Sequence, residues 1–159
     1  MSVSIYDKFY IGTTRFNNET YEENLQWRKK HNHDGCIYAL NKQLPDYIPP
    51  TSLVFVIEMN NDINKIMGIG LIRNNKDRKQ RIRVYNGNPY YNRYVYHSKQ
   101  RIEAGNIKYK KLLRVLELML FKGSRHMKRG QGITCVPWKR FKRGETTKII
   151  KLFFTRLFE

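Results

Sequence analysis

The chain has 159 residues, 40% apolar and 13% aromatic, which is enough for one buried core and excludes a wholly disordered protein. Its 31 Lys and Arg against 13 Asp and Glu leave a net charge of +18, which attracts polyanions. Two cysteines exclude a disulfide-rich scaffold, and no run reaches the ~18 apolar residues that span a bilayer.

Val3 to Ile11 is rich in β-formers and predicts a first strand that ends at Gly12. The same N-terminus has no basic stretch followed by an apolar run, so no signal peptide is expected and the chain is placed inside a cell. Residues 18–32 place acids in the first turn and bases in the last, which suits a helix dipole. A turn at Asp34-Gly35, a short strand over Cys36–Leu40 and an extended loop with Pro45, Pro49 and Pro50 follow. SLVFVIEMN, the polar NDIN and KIMGIGLIRN then predict a hairpin. Leu53–Ile57 is apolar on both faces, as in a fully buried strand. Gly68 and Gly70 share one face of the second strand, where they admit a bulge, curvature or close approach of another group.

Residues 74–81 form a basic loop, and Arg81–Tyr85 is predicted as a strand before the turn at Asn86–Pro89. Tyr90–His97 reads as one aromatic strand with Tyr90, Asn92, Tyr94 and Tyr96 on one face. Tyr109–Phe121 has the apolar content of a largely buried helix, stopped at Gly123. A basic glycine loop at 123–132, a short strand ITCV and a final amphipathic helix complete an α+β chain with a small curved sheet. The division expected is one domain over 1–138 and a basic helical tail over 139–159.

Charge is divided unevenly along this order. Residues 1–72 carry seven Lys or Arg and eight Asp or Glu, net −1, whereas residues 73–159 carry 24 against five, net +19. Such asymmetry points to a binding face rather than to solubility alone. In the glycine loop Arg125, His126, Lys128 and Arg129 offer cationic donors, and Gly123, Gly130 and Gly132 let the backbone turn toward an anion. The segment is not a Walker loop, because no Gly-Lys-Ser/Thr opens a helix. Next, Lys139, Arg140, Lys142 and Arg143 surround Trp138 and Phe141, an interleaving that suits phosphates beside stacked bases. Tyr94 and Tyr96 supply a second candidate stacking surface.

Other chemistry is thinly supported. His31, His33 and Cys36 offer three zinc ligands without a fourth at a demanding spacing, so no metal and no cofactor are expected. Pro45-Asp46 with Asp77 and Lys79 imitates a metal-nuclease pattern, but Asp77 falls in a polar loop rather than on a strand edge. Glu58 and Asp62 flank the hairpin turn without an evident partner. The absence of nucleophile-elbow and dinucleotide motifs leaves a non-enzymatic binding protein as the expectation.

Gly35–Tyr38, Leu53–Ile57 and Gly68-Ile69-Gly70, followed by YNRYVYHSKQRI, resemble the centre of PUA-like domains, the group that includes the YTH and EVE families. The resemblance covers roughly residues 35–105 and implies a small, mostly antiparallel β-barrel with packed helices that binds RNA or single-stranded nucleic acid. YTH proteins read a methylated base in a cage of tryptophans; here Trp27 and Trp138 both lie outside the matched run. The stretch LLRVLELMLFKGSRHMKRGQGITCVP is also similar to small basic proteins of nucleocytoplasmic large DNA viruses. That likeness implies an infected cell or a virion as the location. It also implies an alternative role as a structural virion protein that docks acidic viral partners. A membrane is not an expected partner.

Overall fold

The computed structural model describes residues 8–75, 82–137 and 144–159, with side chains in the last segment from 147 onward. The elements in chain order are β1 (Phe9–Phe16), α1 (Asn18–Lys30), β2 (Cys36–Leu40), β3 (Leu53–Asn60), β4 (Lys65–Arg73), β5 (Tyr94–Ser98) and β6 (Arg101–Glu103), then α2 (Lys110–Phe121), β7 (Thr134–Cys135) and α3 (Gly144–Thr155). The fold is α+β. A five-stranded sheet in the order β6-β4-β3-β1-β7 lies against a two-stranded pair, β2-β5.

The central strand is set by its sequence. All eight residues of β3 are buried, and their alternation sends Leu53, Phe55, Ile57 and Met59 to one face and Val54 and Val56 to the other. β1 runs parallel to β3 along its full length, and β4 returns antiparallel through the predicted hairpin. On the first face α2 and α3 pack Leu113, Leu116, Leu120, Ile150, Phe153 and Phe154 against the sheet. On the second face Tyr38 and Leu40 of β2 and Tyr96 of β5 cover Val54, Val56 and Ile72. Leu71 joins the two sheets, since its N–H donates to the Gln100 carbonyl at 3.0 Å and its carbonyl accepts from Ser98 Oγ at 2.6 Å.

Helix α1 starts as its sequence dictates. Asn17 Oδ1 accepts from Thr20 N at 2.7 Å, and Thr20 Oγ1 accepts from Asn17 N at 3.0 Å. Asp62 adds a carboxylate at the same end, where Oδ2 accepts from Asn18 N at 2.8 Å.

Several expectations are corrected. The first strand does not stop at Gly12 but runs on to Phe16. Glycine serves close approach there, because a Cβ would sit 2.6 Å from Ile133 Cγ2 beside β7. No strand forms over residues 82–85. The Asn92 side chain takes a strand's place, with Oδ1 accepting from Val84 N and Tyr85 N and Nδ2 donating to Tyr85 O. The tyrosine run is not one strand either. Asn88 caps a 3-10 turn over Pro89–Asn92, and β5 begins only at Tyr94. The C-terminal helix, for which the sequence names no packing partner, docks into the shared core, with the Phe154 ring 5.2 Å from Phe55 and 6.4 Å from Phe9.

Candidate nucleic-acid interface

The basic glycine loop leaves α2 at Gly123 and ends at β7. Gly123, Gly130 and Gly132 all have positive φ (79°, 122° and 70°), which glycine adopts without strain. Met127 anchors the middle, being buried and donating its N–H to Leu120 O at 2.7 Å. The loop's carbonyls are drawn inward. Arg15 of β1 donates to Met127 O at 3.2 Å, to Gly132 O, and to Thr134 Oγ1 at 3.0 Å. Asn61 Nδ2 donates to Lys128 O at 2.8 Å, and Asn41 Nδ2 donates to Gln131 Oε1 at 3.0 Å. Burial lowers the Arg15 guanidinium from its ordinary value, yet a group that starts so high stays charged at neutral pH.

Inward carbonyls leave the outside of the loop to its cations. Arg125 and Arg129 are exposed, while His126 and Lys128 are half-buried. His126 Nδ1 accepts from Lys128 N at 3.2 Å. Lys128, Gly130 and Gln131 form one wall of an open cleft of about 950 Å³, and Asn88 and Tyr91 stand on another. Tyr91 is 51% exposed. Arg15 and Asn61 line the cleft between these walls, and Glu19 and Glu23 also border it. Glu23 is tied down by the Asn86 N–H, which its Oε2 accepts at 2.8 Å.

Of the four loop residues Arg125, His126, Lys128 and Arg129, Lys128 lines the cleft, and the aromatic candidates are rearranged. Tyr96 is a correction: at 4% exposure it belongs to the core, and its hydroxyl accepts from Leu44 N at 2.9 Å, so it offers no ring face for stacking. Tyr94 is half-buried with the Arg93 guanidinium 5.3 Å from its ring centroid. Trp138, Lys139, Arg140, Lys142 and Arg143 lie outside the described residues, as do Asp77 and Lys79. Sequence reasoning missed Arg15, Asn61 and Tyr91. Only Tyr91 carried a signal, since Asn88-Pro89 initiates a turn and Tyr91 sits inside it.

The other expectations resolve as structure. Glu58 does have a partner: Arg101 clamps it through Nε at 2.9 Å and Nη2 at 2.7 Å, and Tyr38 Oη donates to it at 2.8 Å. Glu103 accepts from Arg101 Nη1 at 2.6 Å. A Cβ on Gly68 would lie 2.5 Å from Arg101 Nη2, and one on Gly70 would collide with Tyr38 Oη and Cys36 Sγ. The paired glycines thus make room for this buried network. Burial, with the Glu58 charge beside it, pushes the Tyr38 hydroxyl well up. Burial lowers the Arg101 guanidinium, but its bonds to Glu58 and Glu103 outweigh this and hold it above its ordinary value. Both Glu58 oxygens are filled, so the arrangement holds strands together rather than meeting a substrate. His33 Nε2 lies 2.9 Å from Cys36 O, and the His31 ring stacks on Trp27 at 4.1 Å. Among the described residues no cluster of three or more His, Cys, Asp or Glu could hold a metal ion, and no helix is long and apolar enough to cross a membrane.

Comparison with family models, with curated proteins and with solved structures finds no match.

Proposed function

We propose that this chain is a non-enzymatic nucleic-acid-binding protein that holds a single strand across the cleft between the glycine loop and the Tyr91 turn. The observation that carries the proposal is the loop's orientation. Arg15 and Asn61 take up its carbonyls, so Lys128 lines a cleft whose other wall exposes an aromatic ring, while Arg125 and Arg129 are exposed on the same loop. Phosphates meet the cations, and an unstacked base meets Tyr91; Asn88, Asn41 and Gln131 nearby offer amides to a base edge. A duplex keeps its bases stacked inside, which favours RNA or single-stranded DNA as the ligand. The segment 138–143 adds four further cations around Trp138 on the path to α3.

A PUA-like architecture is consistent with this role. β4 pairs with β6, the 99–100 turn links β6 back to β5, and β5 pairs with β2, so the second sheet curls over β3 and β4.

The test is fluorescence-anisotropy titration of single-stranded RNA, single-stranded DNA and duplex DNA at several salt concentrations. Arg125→Glu/Lys128→Glu and Tyr91→Ala variants run alongside. A steep salt dependence that shrinks in the charge variant, with a single-strand loss in Tyr91→Ala, supports the proposal. Weak binding to every polyanion, indifferent to both variants, refutes it.

A further inference from the structure

Helices α2 and α3 turn their broad apolar faces into the sheet, and each leaves a second, narrow apolar stripe pointing away from it. The stripes are Val115 with Leu118 and Ile149 with Leu152, each pair three residues apart and each side chain about half exposed. The helices are neighbours in one layer. The Tyr109 and Phe153 rings lie 6.2 Å apart, and Leu116, Met119 and Leu120 face Phe154 around a small void. Both stripes therefore look outward from the same side of the sheet.

The exposed charges around them are nearly all positive, with Glu159 beyond α3 the exception. Lys111, Arg114 and Lys122 are exposed on or beside α2, and Lys148, Lys151 and Arg156 are exposed on or beside α3. Among the described side chains of the two helices the single acid is Glu117, and its Oε2 is tied to the Ile66 N–H at 3.0 Å. A nucleic acid would gain nothing from four large aliphatic side chains here. A membrane would need the broad apolar faces, which the core already holds. A second copy would set cations against cations.

We infer that this surface docks an acidic amphipathic helix from a partner protein, with aliphatic anchors one turn apart on the two stripes and Asp or Glu on the surrounding cations. The inference goes beyond nucleic-acid binding. The cleft is lined by Phe16, Tyr38 and Leu40, which belong to the opposite face of the sheet, so both surfaces can be occupied together.

The experiment titrates the full-length protein into a labelled synthetic peptide about five helical turns long, with Leu along one stripe and Glu elsewhere. A scrambled peptide of the same composition serves as the control for charge alone. Phosphatidylserine vesicles and sedimentation of the protein alone serve as the other arms. The expected result is binding about tenfold or more tighter to the amphipathic peptide than to the scrambled one. Leu118→Ser/Leu152→Ser should abolish that preference while leaving single-stranded RNA affinity and the urea midpoint unchanged, because both side chains are half exposed. Equal binding of the two peptides, or a preference that survives the double substitution, overturns the inference. So does a concentration-dependent dimer, or a vesicle affinity exceeding that for the peptide, that the double substitution abolishes.

Discussion

Arg15 donates from Nη1 to the Met127 carbonyl at 3.2 Å across 112 residues of chain. An arginine from the half of the sequence with no positive excess thus fixes the loop that carries the excess. Its second nitrogen reaches Gly132 O and Thr134 Oγ1, so one guanidinium ties the middle of the loop to its β7 end. Replacing it removes several donors at once and leaves part-buried carbonyls unmet. Arg15→Met is expected to lower stability by about 3 kcal/mol. It should also open the loop to trypsin at Arg125, Lys128 and Arg129. Arg15→Lys should rescue little, because an ammonium cannot reproduce the planar fork. Urea unfolding and timed proteolysis check both statements.

Charge removal in the same loop has a different signature. Arg125→Gln/Lys128→Gln leaves Arg15 and its bonds in place, so the unfolding midpoint should move little. If each side chain meets one phosphate, the slope of log affinity against log salt should fall by about 1.4 for a single strand. An unchanged slope would place the phosphate contacts elsewhere in the basic half.

The buried network predicts an asymmetric mutational response. The Arg101 and Glu58 side chains are 5% and 3% exposed, so removing one partner strands the other's charge. Arg101→Met or Glu58→Gln alone should cost about 3–5 kcal/mol, and the double variant should recover part of that loss. Gly70→Ala should be costly through the same network, since its methyl would meet Tyr38 Oη and Cys36 Sγ, while Gly87→Ala, which meets nothing within 4 Å, should be close to neutral. Thermal or urea denaturation of the five variants checks the pattern.

The pH dependence follows from the tyrosines. Burial raises the Tyr38 and Tyr85 hydroxyls in the folded chain, whereas the unfolded chain releases those protons from about pH 10. The folded state then binds more protons than the unfolded state, so stability is full below about pH 10 and declines as pH climbs toward the raised values. Tyr85→Phe should flatten that decline. Urea midpoints between pH 8 and 11 measure it.

How far the sequence reached depends on the range of the interactions. Hairpin, α1 and α2 were legible because capping, alternation and apolar periodicity are local. Gly68 and Gly70 announced a close approach without revealing that Arg101 and Tyr38 make it, since those partners are set by strand pairing across 33 and 32 residues of chain. The loop cations were readable from composition, but Arg15 and Asn61 were not, because nothing local separates a strand arginine that binds carbonyls from one that faces water. The 90–97 run misled for a related reason. Its β-formers favour a strand, and the Asn88 cap and the Asn92 amide clamp, both side-chain effects, override them over residues 89–92.

Tyr91 and Tyr96 make the sharpest contrast within that run. Sequence alternation placed Tyr96 on the stacking face, yet it is Tyr91, in the turn, that exposes its ring beside the cleft. Tyr91→Ala should therefore weaken single-strand binding by about 1–3 kcal/mol and leave duplex affinity and stability nearly unchanged. Tyr96→Phe should do the reverse. It removes the acceptor for the buried Leu44 N–H, costing about 1–3 kcal/mol of folding stability, while affinity for nucleic acid stays within twofold. Paired anisotropy and urea titrations on the two variants separate a ligand-facing ring from a core ring. If Tyr96→Phe lost affinity without losing stability, the assignment of the cleft wall to Tyr91 would be wrong.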